Sequence, residues 1–107
     1  MHILNITFSV DSSVEEGFVS AVQQQIIPKL DHNSSLLRIH GDANTHPTFG
    51  LQIEFDSTTA LHDFQHTALD SIYQQLQTSF PNKWVSFDTE LEKLTPWVFD
   101  QKSISVS

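Results

Sequence analysis

The sequence predicts an α+β fold of order βαββαβ, an antiparallel four-stranded sheet with two helices on one face. Three observations predict it. Four stretches alternate apolar and polar residues with period two, the signature of half-buried strands. Two longer stretches between them carry apolar residues at helical spacing. Turn-forming residues punctuate the joints.

The first strand is expected over residues 3–10. Leu4, Ile6, Phe8 and Val10 share one side, with Asn5, Thr7 and Ser9 opposite. Asp11-Ser12-Ser13 interrupts it, and Ser12 with Glu15 has the spacing of a capping box that opens a helix. The first helix is expected over about residues 13–27, with Val14, Phe18, Ala21, Val22 and Ile26 on its buried stripe. Glu15 and Glu16 in its first turn suit the helix dipole. Pro28 lacks a backbone donor and ends the helix or bends its last turn.

A polar linker, Asp31-His32-Asn33-Ser34, leads into a short strand at residues 36–40. Residues 41–47 have the composition of a hairpin loop. The third strand, 49–55, places Phe49, Leu51, Ile53 and Phe55 toward the core and Gly50, Gln52 and Glu54 away from it. Residues 56–59 start the second helix, which is expected to reach residue 78 with Leu61, Phe64, Ala68, Leu69, Ile72 and Leu76 buried. After the Phe80-Pro81-Asn82-Lys83 turn comes a fourth strand over about residues 84–94. Its two faces carry Val85, Phe87 and Leu91 on one side and Trp84, Ser86, Asp88, Glu90 and Glu92 on the other.

Right-handed crossovers leave few compact arrangements for two βαβ halves, and the expected one is a ferredoxin-like sandwich. Strand one then lies between strands three and four. A single helical layer leaves the second sheet face open. With apolar residues turned inward, that face is expected to gather Asn5, Thr7, Arg38, His40, Gln52, Glu54, Ser86, Asp88 and Glu90, interrupted by Ile3, Leu36 and Trp84. From this set Arg38, His40, Gln52, Glu54, Trp84 and Asp88 are the expected ligand-binding residues, since a mixed face with convergent polar groups suits a small ligand or a docking partner.

Composition removes several function classes. A chain of 107 residues is one domain, expected over 1–94 with a tail at 95–107. Thirteen acids oppose five bases for a net charge of −8, and one base, Arg38, is an arginine. Nucleic-acid binding needs Lys and Arg in place of phosphate counterions, so neither nucleic acid nor an anionic membrane is an expected partner. There is no cysteine, hence no disulfide, no thiolate metal site and no cysteine nucleophile. The N-terminus has no positive leader and no apolar run approaches the ~20 residues of a membrane helix, so the expected location is the cytoplasm.

No catalytic motif stands out. The three glycines, Gly17, Gly41 and Gly50, are scattered, which disfavours a glycine-rich phosphate loop. Among the six histidines, His62 and His66 are spaced i, i+4 on the second helix, a spacing that can clamp a metal. The segment His62-Asp63-Phe64-Gln65-His66 lacks the glutamate of the zinc-protease motif, and Asp70 is the nearest further donor. Two boundary histidines are the expected reading, with no metal and no cofactor. Trp97-Val98-Phe99 in the tail is expected to anchor on the sheet, on a helix or on a second subunit. Ser103-Ile104-Ser105-Val106-Ser107 alternates like a strand.

The segment from Phe80 to Glu92, an aromatic, a short lysine-bearing turn and then Trp84-Val85-Ser86-Phe87, resembles the C-terminal signature of an uncharacterised family of domains of unknown function from Bacteroidetes. Ile3-Leu4-Asn5-Ile6-Thr7 and the Ile27-Pro28 helix end are similar as well, so the resemblance spans residues 1 to about 94. It implies a ferredoxin-like fold of the dimeric α+β barrel kind and carries over no catalytic residues. The expected function is a non-enzymatic homodimeric module that binds a small molecule or protein on the open sheet face. The alternative is a cofactor-independent monooxygenase or isomerase of the barrel type, with Arg38, His40, Glu54 and Asp88 in its pocket.

Overall fold

The structure is a computed structural model that describes residues 1–41 and 46–94. Its strands are β1 (His2–Val10), β2 (Ser34–Arg38), β3 (Thr48–Phe55) and β4 (Trp84–Glu92). Its α-helices are α1 (Glu15–Ala21), α2 (Thr58–His66) and α3 (Ala68–Ser79). The sheet order is β2-β3-β1-β4, and every neighbouring pair is antiparallel. This is the expected ferredoxin-like α+β architecture, with β1 between β3 and β4. The tail anchor expected at Trp97, Val98 and Phe99 lies outside the described residues.

The two central strands follow the simple rule. Leu4, Ile6, Phe8 and Val10 of β1 are buried against Phe49, Leu51, Ile53 and Phe55 of β3, and Phe18, Val22, Ile26, Leu61, Phe64, Leu69, Ile72 and Leu76 close the core from the helices. Phe8 packs edge-on to Phe18 at 5.2 Å and to Trp84 at 5.7 Å. Such ring pairs add to what area burial alone supplies.

The helices depart from the expected outline in three places. Asp11, not Ser12, caps the chain entering the first helix: its carboxylate accepts from the Ser13 N–H at 2.9 Å and the Ser13 hydroxyl at 2.7 Å. The capped segment is a 3₁₀ turn, Ser12–Val14, ahead of α1. Beyond α1 the chain widens to a π-helical stretch, Val22–Ile26, then tightens to a 3₁₀ turn, Ile27–Lys29, holding Pro28. Val22 and Ile26, at the two ends of this π-helical stretch, are both buried. The expected long second helix is two. Thr67 leaves helical geometry (φ −126°, ψ −77°), so α2 ends there and α3 begins at once; the Thr67 hydroxyl donates to the Asp63 carbonyl at 2.6 Å. The Ser57 hydroxyl caps α2, accepting from the Ala60 N–H at 3.1 Å.

The edge strands overturn the expected assignment of faces. Directly opposed residues on antiparallel strands share a face. Arg38 opposes Phe49 and Leu36 opposes Leu51, so both lie on the helix side, while Leu37 opposes Gly50 on the open side. Trp84 opposes Val10, Ser86 opposes Phe8, Asp88 opposes Ile6 and Glu90 opposes Leu4, all on the helix side. Val85, Phe87 and Leu91 oppose Ser9, Thr7 and Ile3 on the open side. A shift of one residue transfers a whole strand pattern to the other face. The physical reason is the width of the helical layer. At the sheet edges the helix side is a rim in contact with water, where polar residues belong.

Candidate binding face

The open face has a polar centre and apolar flanks. In the centre, Asn5 stands between Gln52 on β3 and Thr89 on β4. Its amide donates to the Thr7 hydroxyl at 2.9 Å. Gly50 lies beneath Asn5 and Ile39: a Cβ there would sit 3.1 Å from Asn5 Oδ1 and 3.5 Å from Ile39 Cδ1. The absent side chain lets both neighbours close over β3. The flanks are Leu37 (45% exposed) and Ile39 (40%) on one side, and Val85 (68%), Phe87 (63%) and Leu91 (39%) on the other. Isolated exposed apolar residues are ordinary; two rows flanking one sheet face are not.

Of the six residues expected on this face, Gln52 and Glu54 occupy it. Glu54 opposes Ile3 and also lines a cleft of about 460 Å³ at the end of the sheet, with Met1, Asp31, His32, Asn33, Asp56 and Ala60. The His32 ring packs 4.4 Å from that of Phe55.

The placement of the other four is corrected. Arg38 reaches α1, where its guanidinium meets Glu15 at 2.7 Å and covers the Phe49 ring at 4.8 Å. His40 lies past the end of β2, exposed, in a shallow cleft with Arg38 and His46. Trp84 packs among Phe8, Phe18 and Tyr73, and its indole Nε1 is buried with no hydrogen-bond partner. Asp88 accepts the Tyr73 hydroxyl at 2.5 Å. Burial first, and the Asp88 carboxylate second, raise the Tyr73 phenol above its ordinary range.

A second rim contact joins α2 to β4, with His62 Nε2 3.2 Å from Glu90 Oε1. No three His, Asp or Glu among the described residues are grouped to hold a metal. Among them, no helix is long and apolar enough to cross a membrane.

The open-face residues absent from the sequence expectation are Leu37, Ile39, Val85, Phe87 and Leu91. A signal for them existed. Phe87 and Val85 alternate with Ser86 and Asp88, and the strand follows a turn rather than a buried run. That pattern marks a strand with two unlike faces without saying which one looks inward.

Residues 1–94 match the family of domains of unknown function designated DUF4286. The chain belongs to that family. None of the curated proteins matches the DUF4286 chain. Among solved structures, it is similar to the crystal structure of a PII-like signaling protein from Thermus thermophilus, with 17% identity, a TM-score of 0.40, and coverage of 85% of this chain and 87% of that one. The fold of the DUF4286 chain rests on its own strand order and register.

Proposed function

We propose that this DUF4286 domain is a small non-enzymatic binding module that works as a homodimer, with the open sheet faces of two copies packed together. The observation that carries this reading is the exposure of Leu37, Val85, Phe87 and Leu91 on one face. Two further arguments support a second copy as the occupant. Three strands about 27–30 Å long and β2 at about 17 Å, spaced about 4.8 Å apart, present roughly 500 Å² in projection. With side-chain relief this approaches the ~800 Å² per partner of a stable interface. Charge points the same way. On a chain with net charge −8, the open-face strand positions carry one charged side chain, Glu54. Two such copies meet there with the least repulsion.

In this arrangement the apolar flanks seal the interface and the polar strip of Asn5, Thr7, Gln52 and Glu54 lines the space between sheets. A small ligand with hydrogen-bonding groups would be held by Gln52 and Glu54. The enzyme alternative needs Arg38, His40, Glu54 and Asp88 in one pocket. The register sets Arg38 and Asp88 on the opposite side of the sheet from Glu54, so those groups do not converge.

Light scattering during size exclusion tests the reading, with twice the 12.1 kDa chain mass as the expected result. Phe87→Asp removes about 2 kcal/mol of burial from each copy, so dimer affinity falls about a thousandfold while circular dichroism stays unchanged. A wild-type monomer at high micromolar concentration, or a dimer indifferent to Phe87→Asp, overturns the proposal.

A further inference from the structure

The edge of β4 is a second, separate surface. β4 pairs with β1 on one side and, among the described residues, with no strand on the other. It is nine residues long and carries no proline. An edge of this length is ordinarily blunted by bulges, prolines or lysines, because its free N–H and C=O groups invite another strand. β2, the opposite edge, is five residues long.

Which groups are free follows from the hydrogen bonds at the two ends of the strand. The Lys93 N–H donates to the Met1 carbonyl at 2.9 Å, and the Lys83 carbonyl accepts from the Asp11 N–H at 2.8 Å. In an antiparallel ladder the N–H and C=O of one residue point the same way and alternate along the strand. The odd-numbered residues therefore face β1. The even-numbered ones, Ser86, Asp88 and Glu90, point their backbone groups outward.

The same residues decide what can pair there. Asp88, Glu90 and Glu92 line one face of the edge, and Val85, Phe87 and Leu91 line the other. A second copy is a poor occupant. Any two-fold pairing of β4 with itself that keeps the faces aligned and centres on residues 88–90 sets carboxylates opposite one another, as Asp88 on Asp88, Glu90 on Glu90 or Asp88 on Glu90. Like charges directly opposed destabilise a strand pair, and opposite charges stabilise it.

We infer that the β4 edge receives an extended basic peptide segment of a partner, added as a fifth strand with lysines or arginines alternating with apolar residues. Backbone pairing to Ser86, Asp88 and Glu90 supplies the affinity. The basic positions answer Asp88, Glu90 and Glu92, and the apolar positions extend the row of Val85, Phe87 and Leu91. This inference does not depend on the sheet-face dimer.

The test uses the full chain, an alternating lysine–valine heptapeptide, a glutamate–valine control and a lysine–valine peptide N-methylated at alternate residues. Amide hydrogen exchange read by NMR should show at least tenfold slowing at Ser86, Asp88 and Glu90 with the lysine–valine peptide and none with the other two. Leu37→Asp, which disrupts the proposed dimer from the far edge, should leave the peptide affinity within twofold. Four results overturn the inference: equal binding of the N-methylated peptide, which means contact through charge alone; protection confined to β2; no binding; and Ser86, Asp88 and Glu90 amides already protected in the free chain, which means the edge is occupied from within.

Discussion

Tyr73 is the one tyrosine of the chain, and its titration reports a single site. Its ring packs 5.8 Å from Trp84 and its hydroxyl donates to Asp88 at 2.5 Å. Burial disfavours the phenolate, and the neighbouring carboxylate disfavours it further, so the group stays protonated above its ordinary value of 10.0. The sign of the linkage follows. A folded-state pKa above the unfolded one means the folded chain holds the proton more tightly. The contribution is complete below pH 10 and is lost as pH rises beyond it. Ultraviolet titration should therefore show phenolate absorbance only well above pH 10, arriving together with unfolding. Asp88→Asn should lower the midpoint partway, because the carboxylate goes and the burial remains. A titration in the native state near pH 10, unmoved by that substitution, would show the contact to be absent in solution. Asp11 shows the opposite direction on the surface. Hydrogen bonds from Ser13 hold its carboxyl below the usual range, so that stabilisation is lost as pH falls.

At the scale of elements, edge strands and central strands obey different rules. β1 and β3 were legible because one set of alternate residues is wholly apolar and the helices cover it. In β2 and β4, period two still sorted the residues into two sets, but the assumption that apolar means inward assigned those sets to the wrong faces. Leu36 and Leu37 are adjacent leucines on opposite faces, so composition alone could not choose between them. In β4 the polar set found partners on the helices, Tyr73 for Asp88 and His62 for Glu90, which no local pattern encodes. The break between α2 and α3 is hidden in the same way, since the apolar spacing runs on through Thr67 while its backbone leaves helical geometry. Arg38 shows what the corrected register implies. It ties the edge strand β2 to α1 through Glu15 and stacks on Phe49. Both side chains of the ion pair are partly exposed, so water and salt screen it, and the pair with the ring contact is worth about 1 kcal/mol. Arg38→Ala should lower stability in urea by that amount, and Glu15→Gln by less than half of it. A loss well above about 2 kcal/mol would mean that Arg38 is anchored by something other than these two contacts.

For the whole molecule, charge and apolar surface act against each other. Thirteen acids against five bases make each copy repel the next, and the open sheet face is where that repulsion is weakest. Association through this face then depends on salt in a definite direction. Screening lengths fall from about 30 Å at 0.01 M to about 8 Å at 0.15 M ionic strength, so added salt should strengthen the proposed dimer. Binding that involves the native state alone also raises apparent stability by mass action. The midpoint of thermal unfolding should rise with protein concentration, and rise further in 0.15 M salt. For a monomeric fold the midpoint is independent of concentration. Phe87→Asp separates the two cases, because position 87 faces away from the core and its replacement leaves the monomer fold intact. In that variant the concentration dependence should vanish, and at high dilution its midpoint should meet that of the wild type. If the wild-type midpoint is already flat with concentration, the exposed apolar rows are not joined to a second copy. If instead Phe87→Asp lowers the midpoint equally at all concentrations, Phe87 serves the monomer and the sheet face has no role in assembly.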